Sequence, residues 1–211
     1  MRTLLLLLTA LMIGAETFAQ QLNLVTPGYY RKDTVYVMNG YRYRYRCIGT
    51  KGIVRIYNAD YQNQWEGQTQ VYKETGKYFD FDFGEEEKYN PIIDDYSMSQ
   101  KVLNIIDNAF TKEFTASLKD YEKLTVTLFL NSETGKVEEV SFWFTHFGPF
   151  ATLPLSTYRN IELQLIRDVS YTPTAIGKQL NYIMLSLMRR PKGASSSGTG
   201  ITPSEPGGII P

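Results

Sequence analysis

Residues 35–48 read VYVMNGYRYRYRCI, and this stretch predicts a β-hairpin. Asn39-Gly40 stands between two arms of alternating residues, and a type I′ turn needs positive φ at both central positions, which Asn and Gly tolerate. In the second arm, Tyr41, Tyr43 and Tyr45 fall on one face of the strand, and three arginines fall on the other. The pattern therefore predicts an antiparallel, tyrosine-rich β region in the N-terminal half.

The alternation continues beyond this hairpin. Residues 53–57 and 70–73 are predicted strands, and residues 78–83 alternate aromatic side chains with Asp80 and Asp82. Because opposite charges stabilise cross-strand pairs, we expect the 78–83 strand to lie beside the 41–46 arm. In that pairing Arg42, Arg44 and Arg46 would face the two aspartates, and Phe79, Phe81 and Phe83 would pack beside the tyrosines.

The second half predicts the order helix, strand, strand, helix, strand. Residues 97–118 carry apolar side chains at helical spacing, and 124–130 form a β-rich run. A turn over 131–135 leads to a return arm over 137–144. Ser156 is a plausible N-cap for a second helix through residue 168, and residues 180–188 form the last predicted strand.

This order of elements, together with several short sequence motifs, resembles the C-terminal domain of TonB over residues 97–188. The motifs are Gly135-Lys136-Val137 after a strand and an acidic turn, then Tyr171-Thr172-Pro173, then Gly177 before the final strand. The spacing from Pro173 to Gly177 is one residue short of the family pattern. The long Pro-rich linker and retained N-terminal anchor are also missing, which puts energy transmission from the inner membrane in doubt. The chain is similar in style, too, to small secreted domain families of Bacteroidetes type.

The resemblance implies a compact unit of two helices on a three-stranded antiparallel sheet, which binds extended segments of outer-membrane receptors. The predicted fold class is therefore α+β, an antiparallel Tyr-rich β region followed by a TonB-C-like unit. We place the β region at residues 20–90 and the second unit at 91–189. Residues 190–211 are rich in Gly, Ser, Thr and Pro, and we predict a disordered tail there.

The N-terminus predicts export. Met1-Arg2 precedes an apolar run of about 11 residues, too short for a transmembrane helix of roughly 20. Thr17 and Ala19 stand at positions −3 and −1 of a cut before Gln20, as in a secretory signal peptide. We therefore expect residues 1–19 to be removed and residues 20–211 to be periplasmic or extracellular. Cys47 is the single cysteine, so no internal disulfide is expected.

Composition and motifs give no support for nucleic-acid binding, for a catalytic triad or for a metal site. The net charge is zero, which gives no indication of nucleic acid as a partner. His146 is the single histidine, and its apolar setting Phe144-Thr145-His146-Phe147 favours a packed loop residue over the general base of a nucleophilic triad. Together with Cys47 it gives too few ligands for zinc. The acidic runs 85–87 and 94–95 lack the alternating pattern of a calcium loop. We expect a protein that is not an enzyme and has no catalytic residue, metal or cofactor.

We expect instead an envelope interaction module that binds an extended segment of an outer-membrane or periplasmic protein by adding it to a sheet edge. As in the family it resembles, the edge would be the last strand, with Leu180, Tyr182, Met184 and Ser186 as partner-binding residues. The alternative is a carbohydrate- or peptidoglycan-binding protein, in which Tyr61, Asn63 and Trp65 of an amide-rich loop contact a glycan. The oligomeric state stays open, since an exposed edge can also mediate homodimerisation.

Overall fold

The computed structural model describes residues 34–38, 40–48, 52–79 and 90–192. Within them the chain forms a mixed α/β fold, with one antiparallel six-stranded sheet in the order β1-β2-β3-β5-β4-β6 and four α-helices. The strands are β1 Thr34–Met38, β2 Tyr41–Ile48, β3 Ile53–Asn58, β4 Leu124–Leu130, β5 Val137–Thr145 and β6 Ile183–Arg189. The helices are α1 Tyr96–Asn108, α2 Lys112–Ser117, α3 Leu155–Asp168 and α4 Ala175–Gln179, with a 3-10 turn at Pro149–Thr152.

The first hairpin is confirmed. β1 and β2 pair from Thr34↔Tyr45 to Met38↔Tyr41, and Gly40 has a φ of +81° in the connection. Tyr43 and Tyr45 are buried in the core, whereas Arg42 is exposed beside Asp60. The predicted separation of tyrosines from arginines across the strand is therefore present.

The predicted pairing of β2 with residues 78–83 is wrong. β2 has β1 on one side and β3 on the other, with Tyr43↔Asn58 to Ile48↔Ile53 in register with β3. Short hairpin connections join consecutive strands, and they take precedence over charge complementarity between distant segments. Asp80 and Asp82, like residues 81–89 as a whole, lie outside the described residues. Phe79 is buried and contacts Tyr72 instead.

The two halves of the chain share one sheet. β3 pairs with β5 from Ile53↔Thr145 to Tyr57↔Ser141, and the same core contains Val54, Leu124 and Phe142. A predicted boundary near residues 85–91 falls mostly outside the described residues. The predicted strand over 70–73 forms only isolated bridges, Val71↔Tyr78 and Tyr72↔Leu180.

The single helix predicted over 97–118 is two helices. α1 begins after Asp95, whose carboxylate accepts the Met98 N–H at 3.0 Å, and α2 begins after Thr111, whose hydroxyl accepts the Phe114 N–H at 3.2 Å. Thr favours an N-cap over a helix interior because its side chain competes for backbone hydrogen bonds. α3 begins at Leu155 after Pro154, so the predicted cap by Ser156 is also wrong.

The second hairpin is confirmed. β4 and β5 pair from Thr125↔Trp143 to Leu130↔Val137, and the Asn131 side chain accepts the N–H groups of Glu133 and Thr134 in the turn. β6 pairs with β4 along its full length and ends the strand order of the sheet. Predicted from residue 180, this strand begins at Ile183 because α4 and Leu180 come first.

After β6 the chain turns toward the helices. Arg190 donates to the Leu118 carbonyl and pairs with Asp120, and the Lys192 N–H donates to Asp107. The remainder of the predicted tail, residues 193–211, lies outside the described residues. Among the helices that the structure describes, none has the length and apolar character needed to cross a membrane.

Candidate functional site: the outer face of the sheet and the edge at β6

Strand alternation gives the sheet two faces. Ile56, Phe142 and Val126 stand in register and point into the core beneath the helices. The residues between them form the outer face, which we define as three cross-strand rows. The rows are Arg55–Trp143–Thr125–Met188, Tyr57–Ser141–Thr127–Ser186 and Glu139–Phe129–Met184.

A groove of about 390 Å³ crosses this outer face. One wall is the loop of residues 59–70, and the opposite wall is β6. Apolar side chains, hydroxyl groups and one pair of opposite charges line the groove. The lining residues are Arg55, Glu66, Gly67, Gln68, Thr125, Thr127, Phe129, Trp143, Met184, Ser186 and Met188.

Arg55 and Glu66 form a nearly buried ion pair in the groove, and the Arg55 guanidinium lies 3.5 Å from the centre of the Trp143 ring. Burial raises the pKa of Glu66, an effect that the Arg55 charge partly opposes, and burial lowers the pKa of Arg55. Glu66 Oε2 and Arg55 Nε have no hydrogen-bond partner in the described part of the chain. Both atoms are buried beneath the groove surface, so the pair fixes the 59–70 loop to β3 and its charges lie just below the groove.

The 59–70 loop is fixed to the sheet by aromatic and buried polar contacts. The Trp65 ring lies 4.8 Å from the Tyr182 ring, and the Tyr182 hydroxyl donates to the Gln68 carbonyl at 2.7 Å. The backbone N–H of Trp65 donates to Glu139 Oε2 at 2.8 Å. Glu139 is buried, and burial raises the pKa of its carboxyl.

These contacts bear on the three residues proposed for glycan binding. The Tyr61 hydroxyl donates to Glu162 at 2.5 Å and accepts the Val140 N–H at 3.1 Å, so it is used inside the fold. Trp65 is half-buried on Tyr182, and Asn63 is exposed but donates to Glu138. The three residues lie in one loop, and two of them anchor that loop instead of forming an exposed aromatic platform.

The four residues proposed for partner binding divide into two pairs. Leu180 and Tyr182 are 0% and 1% exposed and precede β6, so their placement on an exposed edge is wrong. Met184 is 43% exposed, and the Ser186 hydroxyl lies 3.0 Å from the Thr127 hydroxyl. Sequence reasoning missed Met188, which shares the outer face with Met184 and is 37% exposed. The alternation of residues 184, 186 and 188 in a strand would have indicated that Met188 lies on the same face as Met184.

Sequence reasoning also missed a buried carboxyl group on α3. Glu162 is fully buried, and its Oε1 accepts from Tyr61, from Asn58 at 3.2 Å and from Arg159 at 2.8 Å. Burial raises the pKa of Glu162 to about 8. The group ties the 59–70 loop and β3 to α3. It stands next to Ile161 in an amphipathic segment, where helical spacing does not separate a buried from an exposed carboxyl.

His146 and Asp95, which were also considered for chemistry, make structural contacts. His146 Nδ1 lies 2.6 Å from the Gly52 carbonyl oxygen, and its ring packs on Phe147. Cys47 is in β2, opposite Val54, and Asp95 caps α1. Residues 85–87 lie outside the description. Across the described residues, no three His, Cys, Asp or Glu side chains gather to hold a metal ion.

Comparisons with known proteins give a family. No curated protein matches the chain. The family model for Domain of unknown function (DUF5043) matches residues 27–187. The crystal structure of a DUF5043 family protein from Bacteroides uniformis ATCC 8492 is similar, with a TM-score of 0.70 and 37% identity over 78% of this chain and 94% of that one. Neither match is a TonB C-terminal domain. The chain therefore belongs to the DUF5043 family.

Proposed function

We propose that this protein is an exported, non-catalytic interaction module of the cell envelope. Its partner is an extended segment of an outer-membrane or periplasmic protein, which pairs with β6 as an additional strand. The observation that carries the proposal is the position of β6. It ends the strand order of the described sheet, and its Met184, Ser186 and Met188 side chains line the groove.

Strand addition and the groove act together in this proposal. The main chain of an added strand hydrogen-bonds to the free edge, which supplies affinity without a particular side chain. Every second side chain of that strand points to the outer face, because strand side chains alternate. These side chains would lie beside Met184 and Met188, at the wall of the groove. Trp143 and Phe129 supply apolar contacts inside it.

The TonB-C-like unit remains part of this proposal. α1, β4, β5, α3 and β6 follow one another in the order of the resemblance, and β5, β4 and β6 are adjacent antiparallel strands. Two features differ: β5 also pairs with β3, and α2 and α4 are additional short helices. The shared order supports strand addition at the last strand, and the apolar N-terminal run of residues 3–13 supports export.

The test is capture of a partner by the mature chain, residues 20–211, from envelope extract, with purified glycans and peptidoglycan assayed in parallel. Two edge variants are needed, Met184→Pro and Leu185→Pro. N–H groups of successive strand residues point to opposite edges, so one proline removes a bond to β4 and the other removes only an outward donor. A thermal melt identifies the second kind, because it keeps nearly the wild-type melting temperature.

We expect that folded edge variant to lose a protein captured by wild type. Leu163→Ala, which alters an exposed apolar side chain on α3, is the control and should keep the capture. A synthetic segment of the captured protein should then bind wild type in calorimetry at least about tenfold more tightly than it binds the edge variant. Equal binding by both would refute strand addition. Glycan retention that requires Tyr61, Asn63 or Trp65 would replace it with the carbohydrate alternative.

A further inference from the structure

The edge strand has a sequence that is the same in both directions. Residues 184–188 are Met-Leu-Ser-Leu-Met, with Ser186 at the centre. β6 pairs with β4 without a register shift from Leu124↔Arg189 to Leu130↔Ile183, so these residues form a regular strand. Two identical strands in antiparallel pairing are related by a two-fold axis. When the axis passes through Ser186, the palindrome places each apolar residue opposite another apolar residue.

Two copies of β6 can pair residue by residue about Ser186. Met184 then lies opposite Met188 of the second copy, Leu185 lies opposite Leu187, and the two serines face each other. Directly opposite residues share a face of the sheet, with Cβ atoms about 4.5–5.5 Å apart. The methionines meet on the outer face, where both are exposed. The leucines meet on the helix side, where each is only partly buried at the border of the core.

Charge also permits this pairing. Residues 183–188 carry no charged side chain, so the pairing brings no like charges together. Arg189, at the strand end, is neutralised within its own copy by Asp107 at 2.6 Å. Proteins normally protect an exposed edge with lysine, proline or a bulge, because an unguarded apolar edge pairs with other chains. Within the described sheet, β6 itself contains no lysine, no proline and no bulge.

We propose that a second copy of this chain occupies the β6 edge, in an antiparallel pairing centred on Ser186 that joins the two sheets into one. This inference goes beyond the proposed function, since it concerns the protein without its partner. Both occupants use the same edge, so dimerisation and partner binding compete. An arriving segment must replace the second copy.

Charged substitutions of Ser186, at the symmetry centre, test the proposal. Ser186→Lys places two lysines directly opposite each other, and Ser186→Glu does the same with two carboxylates. Sedimentation velocity of mature wild type should give a dimer. Each variant alone should weaken the dimer by at least about tenfold, because directly opposed like charges destabilise a sheet. A mixture of the two variants should restore it as a heterodimer.

A smaller substitution covers the case in which these variants fail to fold. In a Cys47→Ser background, Ser186→Cys should give a disulfide-linked dimer on mild oxidation. Asn160→Cys, at an exposed position on α3, should not. A wild type that is monomeric at all concentrations, or charge variants that dimerise as well as wild type, would overturn the proposal. The purified chain is assayed alone, so this result is independent of whether an envelope partner exists.

Discussion

Glu162 couples the protonation of a buried carboxyl to the stability of the fold. Its Oε1 receives three hydrogen bonds, one of them from Arg159, while Oε2 has no partner among the described residues. Burial dominates, and it raises the pKa of Glu162 from its ordinary 4.5 to about 8. Between these pH values the folded protein holds a proton that the unfolded chain has released. Raising the pH through this window therefore lowers the free energy of unfolding.

Glu162→Gln should reduce this pH dependence. The wild-type free energy of unfolding should fall from pH 5 to pH 8 by at most about 1.4 kcal/mol per pH unit for this one proton. The variant should lose that share and keep the contributions of the other described carboxyls whose pKa values burial raises, Glu66 and Glu139. Urea unfolding at several pH values measures the difference. Glu74→Gln, at an exposed carboxylate, is the control; identical slopes for wild type and Glu162→Gln would contradict the prediction.

Gly135 is held in the left-handed region and lies close to Tyr171; the sequence indicated it only as part of the Gly135-Lys136-Val137 motif. It has a φ of +69°, and a Cβ there would lie 1.7 Å from the Tyr171 carbonyl oxygen. Gly135→Ala should therefore destabilise the protein by roughly 3 kcal/mol or more, from left-handed strain of about 1–2 kcal/mol together with the steric clash. Gly76→Ala isolates the strain, because its φ is +64° and its surroundings are open. Equal losses for the two variants in urea unfolding would show that the Tyr171 contact is unimportant.

At the scale of elements, the 59–70 loop is the part that the sequence described least well. Its polar, amide-rich composition is typical of a solvated loop, whereas Trp65 and Tyr61 are held by Tyr182 and Glu162. These partners are about a hundred residues away in the chain, and local patterns carry no information on such contacts. The hairpins, by contrast, follow from turn residues next to each other, and both were predicted.

Trp65→Ala should destabilise the protein by about 2–3 kcal/mol, because it removes a half-buried aromatic side chain from its stack on Tyr182. Asn63→Ala, in the same loop but exposed, should change the free energy of unfolding by about 0.5 kcal/mol or less. Urea midpoints give both values. A Trp65→Ala protein as stable as wild type would return Trp65 to the group of residues available for a ligand.

The ends of helices and strands were also hard to predict from the sequence, because they too depend on contacts between distant residues. The apolar spacing of residues 97–118 continues through Phe110 and Phe114, so periodicity alone did not detect the break at Thr111. Phe110 stays buried across that break and packs on Phe150. The apolar run 180–188 predicts a strand that begins at Leu180, but Leu180 is the buried C-cap of α4. Tertiary packing used the same apolar pattern for different elements.

At the scale of the whole molecule, the order of strands in the sheet could not be predicted from the sequence. β3 beside β5, and β6 beside β4, are pairings between distant segments, and alternation alone does not select among such partners. Their consequence is one sheet and one core, although composition suggested two regions. The free edge at the last strand was expected from the resemblance, and β6 does end the strand order of the described residues.

The shared core predicts one cooperative unfolding transition. Trp143 in β5 and Trp65 in the 59–70 loop report on tertiary structure, while far-ultraviolet circular dichroism reports on all helices and strands. The two signals should change at the same urea concentration, as in two-state unfolding. Val54→Ala in β3 should move both midpoints together by the same amount, because Val54 belongs to the common core. Separate transitions would support the predicted division at about residue 90.

The contacts that follow β6 have a practical consequence for measuring partners. Arg189, Arg190 and Lys192 hold the chain against α1 and the end of α2, so the last described residues leave the sheet on its helical side. A biotin coupled to a Lys192→Cys variant in the Cys47→Ser background would attach the protein to a sensor surface from that side, because residue 192 is exposed there. The strand edge and the groove would then face the flowing solution, and both occupancy by a second copy and capture of an envelope segment could be followed on the same chip.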